Sequence, residues 1–173
     1  MAMLQNRIAE AGLGLFILIT LCVSSAGAFE GYGVCLTPGY LSGTNHEDAF
    51  RLLEEAGIQW NRSGFRWHEI EKTRGRYDFA KYDGWVKLAD NHKIKMLGMI
   101  SGVPPWASGK AGPTYPPADL EDFKVYLRVL VSRYPQVRVW EIWNEPDITK
   151  FWKGTSHDYF MLLKTAYETI KGI

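Results

Sequence analysis

Glu145 is the side chain that its neighbours best prepare for proton chemistry. The apolar segment Val137–Trp143 reads as a strand. Continued alternation would set Val139, Glu141, Trp143 and Glu145 on one face and Trp140, Ile142 and Asn144 on the other. A carboxyl group at the carboxyl end of such a strand can give a proton to a leaving oxygen and take one from water. Parallel barrels place their reactive groups at that end of the strands. Two other clusters look chemical and are read otherwise. His68-Glu69 opens the spacing of a zinc-binding helix, but Lys72 occupies the position of the second histidine, so no metal is expected. Glu69 and Glu71 form a carboxylate pair on a loop and are read as solvated surface, because acids are seldom buried.

The elements that must position these residues repeat. Short apolar runs alternate with helical patterns, the mark of βα units on a parallel sheet. The spacing predicts strands over Gly33–Leu36, Gln59–Phe65, Lys95–Ile100 and Val137–Trp143. The first helix follows the Gly43-Thr44-Asn45 turn, runs through Phe50, Leu52, Leu53 and Ala56, and ends at Gly57. Further helices are predicted over Tyr82–Asn91, Ala118–Tyr134 and His157–Ile170, the last with an apolar stripe of Phe160, Leu163, Ala166 and Ile170. Between the third strand and its helix lies a loop rich in turn formers, Ser101 to Pro113, of a length that is commonly functional.

Charge names no partner. The 173 residues carry 20 Lys+Arg against 19 Asp+Glu, which gives no electrostatic reason to expect nucleic acid or an anionic membrane. Residues 1–28 read as a leader: polar Gln5-Asn6-Arg7, an apolar run from Leu13 to Val23, and the small residues Ala26-Gly27-Ala28 before Phe29. Cleavage is expected after Ala28, with a secreted or periplasmic product and no stable membrane anchor, because the run is about half of the ~20 residues that span a bilayer. Cys35 is then the only cysteine, so no internal disulfide can form. The sequon Asn61-Arg62-Ser63 falls in a segment read as a buried strand, where a glycan has no room.

The stretch Trp140-Glu141-Ile142-Trp143-Asn144-Glu145-Pro146 resembles the fourth-strand signature of clan A glycoside hydrolases, retaining TIM-barrel β-glycosidases, with families 39 and 5 nearest in character. Companion pieces stand in the expected order: Arg62, then Phe65-Arg66-Trp67 leading to Ile70-Glu71 and Gly75-Arg76-Tyr77-Asp78-Phe79, then Pro104-Pro105-Trp106-Ala107-Ser108. The resemblance implies a (β/α)8 fold, of which residues 29–173 supply the first four βα units. It implies Glu145 as acid/base, Asn144 as hydrogen-bond partner of the sugar 2-hydroxyl, and no cofactor. Arg62 matches an arginine that orients the nucleophilic carboxylate, with a buried ion pair to an acid such as Glu141 as the equal alternative. Trp106 and Trp152 are read as sugar contacts, and Trp143 is open between packing and ligand. Thr37 stands where xylosidase-like relatives often carry a histidine, which leaves the sugar open.

The implied mechanism needs a second carboxyl group ~5 Å from the first. The resemblance puts it at the end of a seventh strand, so it is expected to be missing from these residues and the chain alone to be inactive. Open sheet edges would favour self-association. Hydrolysis of an oligo- or polysaccharide is therefore the leading expectation. A half-barrel that binds carbohydrate without cleaving it comes second, and a purely structural, self-associating fragment third.

Overall fold

The computed structural model describes residues 31–37, 45–110 and 112–173. The expected leader, its cut after Ala28, and Gly43-Thr44 of the first turn lie outside them. In chain order the elements are β1 (Tyr32–Cys35), α1 (His46–Glu55), β2 (Ile58–Arg66), α2 (Trp67–Ile70), α3 (Ala80–Asn91), β3 (Lys95–Ser101), α4 (Pro105–Ser108), α5 (Leu120–Arg133), β4 (Val139–Ile142) and α6 (Ser156–Lys171). The strands form one sheet in the order β1-β2-β3-β4, and β1 pairs parallel with β2, Val34 opposite Asn61 and Cys35 opposite Arg62. Every predicted strand and longer helix is present, within one to three residues at most ends. The single turns α2 and α4 were not anticipated, because four residues are too few to show a helical period.

The described residues divide into two compact units, one made of residues up to Ser63 with Asp83–Leu97, the other of Gly64–Tyr82 with Gly98–Ile173. In the first, Asn45 caps α1 by accepting the N–H of Glu47 at 3.0 Å, and Glu47 and Asp48 place negative charge in the first turn, where the helix dipole favours it. The buried face of α1, Ala49, Phe50 and Leu53, sends Phe50 edge-on into Trp85, centroids 4.9 Å apart. His92 lies over the same phenyl ring and reaches Glu54 at 2.7 Å and Glu47 at 3.1 Å. Gly57, at φ 72°, ends the helix in the left-handed conformation that a side chain resists. Asn61 is fully buried, its Oδ1 accepting the N–H of Leu36 at 2.9 Å, so the sequon is inside the fold.

The second unit is built on aromatic contacts. Phe65 stacks on Tyr82 at 5.2 Å and meets Trp140 edge-on at 5.2 Å. Trp67 stacks on Tyr126 at 5.1 Å and packs on Phe123 at 5.6 Å. Gly98 has to be glycine, since a β-carbon there would enter the Trp140 ring. The helix α5 buries Phe123, Tyr126, Leu127 and Leu130 and packs with α6.

Two expectations fail in this unit. The stripe on α6 is not Phe160, Leu163, Ala166 and Ile170: the buried positions are Leu162, Thr165, Ala166 and Thr169, while Phe160 is 58% and Leu163 42% exposed. Small side chains let the helix lie close to its neighbours, and Thr169 meets its own hydrogen-bonding need by donating to the Thr165 carbonyl at 2.7 Å. Glu71 is not surface either. It is 2% exposed and accepts the Trp67 indole N–H and the Gly75 N–H, both at 2.7 Å. The donors satisfy a buried carboxylate that would otherwise be expelled to water.

Candidate active site

The alternation that pointed to Glu145 stops before it. β4 ends at Ile142, and Trp143 and Glu145 both have positive φ, 73° and 46°. Left-handed backbone costs a side-chain-bearing residue about 1–2 kcal/mol, so two such residues flanking Asn144 require surroundings that hold them. Those surroundings are visible. The Trp143 N–H donates to the Ile100 carbonyl at 2.7 Å, its indole N–H to the Phe151 carbonyl at 2.9 Å, and the Glu145 carbonyl accepts the N–H of Ile148 at 3.1 Å. The result is a carboxylic acid displayed on an exposed turn beyond the strand end, beside a half-buried Asn144.

Trp143 and Trp152 are 4% and 3% exposed and meet edge to face with centroids 4.7 Å apart. Trp152 donates its indole N–H to the Thr155 carbonyl at 3.1 Å. Trp152, expected to face a sugar, is thus turned into its own loop, and Trp143 packs with it, because each ring finds an aromatic edge and a backbone acceptor there. Trp106 is half-buried. Its indole donates to the Glu71 carbonyl at 2.8 Å, and the Arg74 guanidinium, itself paired with Asp122, lies 5.0 Å from the ring centroid. Arg62, in the first unit, is half-buried with Nη1 3.5 Å from the Cys35 sulfur.

Charges near α2 are arranged for structure. Burial raises the Glu69 carboxyl, but Lys81 at 2.9 Å and Arg66 at 2.9 Å outweigh it and hold the group at about 2. The Tyr77 phenol is pushed up to about 12 by burial and by the Glu71 charge. His68 is held below its ordinary value, chiefly by burial, and its ring fills the space a side chain at Gly102 would need. Among the described residues no group of three or more His, Cys, Asp or Glu is placed to hold a metal ion, and no helix is long and apolar enough to cross a membrane. Sequence reading missed Glu71 as the support beneath Trp106. The Trp67 and Gly75 donors that betray it stand four residues to either side.

A sheet of four sequential strands joined by helices is part of the fold that TIM-barrel glycosidases share. No protein-family model matches the chain. It is 29% identical to a β-galactosidase of Haloferax lucentense over 80% of this chain and 25% of that protein. It is 40% identical to a β-xylosidase of Caldicellulosiruptor saccharolyticus over 34% of this chain and 14% of the other. A family 39 glycoside hydrolase from Bacteroides cellulosilyticus superposes with a TM-score of 0.66 at 26% identity, covering 81% of this chain and 29% of that one. The chain thus resembles glycoside hydrolases of the TIM-barrel kind, a family 39 member among them. It spans 25% and 14% of the length of the two curated relatives.

Proposed function

We propose that the chain carries the acid/base half of a retaining β-glycosidase site, acting on an oligo- or polysaccharide outside the cytoplasm after cleavage behind Ala28. The observation that carries this reading is the turn at the end of β4, which spends two left-handed residues to present the Glu145 carboxyl group to solvent beside Asn144. Glu145 donates its proton to the glycosidic oxygen as the bond from that oxygen to the anomeric carbon breaks and a second carboxylate bonds to the same carbon. The resulting Glu145 carboxylate then takes a proton from water as the water oxygen attacks that carbon and releases the second carboxylate. Asn144 holds the sugar 2-hydroxyl, and the half-buried Trp106 offers apolar surface to a sugar ring. In the clan that Trp140 to Pro146 resembles, the second carboxylate stands at the end of a seventh strand.

The purified chain is expected to release no phenol from dinitrophenyl β-xyloside, β-glucoside or β-galactoside above background. Turnover would show that both carboxyl groups lie within it. In a protein that joins these residues to the second carboxylate, Glu145→Ala should slow hydrolysis of alkyl glycosides by roughly 10²–10⁴-fold. It should leave the first step on the dinitrophenyl glycosides, which need no proton, far less affected. Equal rates on alkyl glycosides would remove Glu145 from the mechanism.

A further inference from the structure

The peptide unit between Ile142 and Trp143 is pinned at both of its polar ends. Its N–H, that of Trp143, donates to the Ile100 carbonyl at 2.7 Å. Its carbonyl, that of Ile142, accepts the Tyr159 hydroxyl at 2.9 Å. The left-handed Trp143 begins immediately after this plane, so the orientation of the plane sets the direction in which Asn144 and Glu145 leave the strand. Tyr159 also closes a ring of contacts around the turn. Trp143 meets Trp152 at 4.7 Å, Trp152 donates to the Thr155 carbonyl at 3.1 Å, the same carbonyl accepts the Tyr159 N–H at 3.1 Å, and the Tyr159 hydroxyl returns to Ile142. The Tyr159 ring touches Trp152 edge-on at 6.0 Å, so it is held at both ends of its side chain.

We infer that Tyr159 is a positioning residue for Glu145, its hydroxyl fixing the last peptide of β4 and thereby the path of the turn that carries the acid. A role in helix packing alone does not account for the bond, because the acceptor belongs to the strand end and not to α6. Burial, and secondarily the charge of Glu141, push the phenol up, so the group stays a donor through neutral and mildly alkaline pH. The inference rests on the acid/base reading of Glu145 for its meaning, but its test depends on geometry only.

The test is amide and indole hydrogen exchange in the ¹⁵N-labelled chain, read at the Trp143 N–H and the Trp143 indole N–H. Tyr159→Phe keeps the ring and removes the hydroxyl. It is expected to speed exchange at both protons about tenfold or more while Leu127 and Leu130 of α5 stay within roughly twofold. Thr155→Ala is the control. It removes the side chain that accepts the Asp158 N–H and should destabilise the helix start as much or more, yet leave both Trp143 protons within roughly twofold. Unchanged Trp143 exchange in Tyr159→Phe overturns the inference, as does equal acceleration by Thr155→Ala, which would mean Tyr159 acts only through helix stability. The acid/base reading fails separately, through retained hydrolysis of alkyl glycosides in Glu145→Ala, and that failure leaves the exchange result standing.

Discussion

Single side chains here draw their roles from partners far along the chain or just out of register. Glu71 is the clearest case. As one carboxylate of a loop pair it reads as solvated, yet it is a buried acceptor for Trp67 and Gly75, and its backbone carbonyl holds Trp106. Leaving a buried donor unpaired costs about 1–3 kcal/mol, so Glu71→Ala, which strands the buried Trp67 indole N–H, is expected to cost roughly 2 kcal/mol in urea unfolding. A loss below about 1 kcal/mol would mean that water replaces the carboxylate freely. His92 supplies a pH dependence. Glu54 most strongly, and Glu47, raise its folded-state value above the ordinary one against a smaller effect of burial. Its stabilising contribution is therefore full below about pH 6.5, the unfolded value, and is lost as pH rises through the higher folded value. The stability difference between wild type and His92→Gln should accordingly shrink from about pH 5.5 to pH 9 in denaturant titrations. A difference independent of pH would show that the clamp does not depend on the imidazolium.

At the scale of the element, α6 shows how a helix with apolar residues on more than one side chooses its buried face. Leu162, Thr165, Ala166 and Thr169 face inward, and Phe160, Leu163 and Tyr167 are left 58%, 42% and 64% exposed. Its start is set by a capping box, Thr155 with Asp158, and its first turn reaches back to β4 through Tyr159. An exposed apolar stripe of this kind promotes association. The double variant Phe160→Glu and Leu163→Glu should retain the wild-type circular dichroism spectrum and show a weaker rise of sedimentation coefficient with concentration than the parent chain. Identical concentration dependence in the two proteins would exclude the stripe as the contact.

At the scale of the whole molecule, the proposed chemistry uses two carboxyl groups, of which Glu145 is proposed as one. What the sequence determined by itself is what local pattern encodes. Short apolar runs, helical periods, the Gly43-Thr44-Asn45 turn and the Gly57 stop established the βα order, and Trp140 to Pro146 with its companions pointed to the class of protein. Each of those signals is complete within a few residues, so no tertiary contact was needed to read it. Tertiary structure alone decided which face of α6 is buried, that Glu71 lies inside, that Trp152 turns inward, and that β4 stops at Ile142. For α6, Trp152 and β4 these depend on partners whose position no local spacing discloses, and for Glu71 on a turn that brings donors four residues away onto one carboxylate. The same reason applies to Glu145. Strand alternation pointed to it, but the strand ends before it, and it is exposed in a turn with two left-handed residues, of which Trp143 donates to the Ile100 and Phe151 carbonyls.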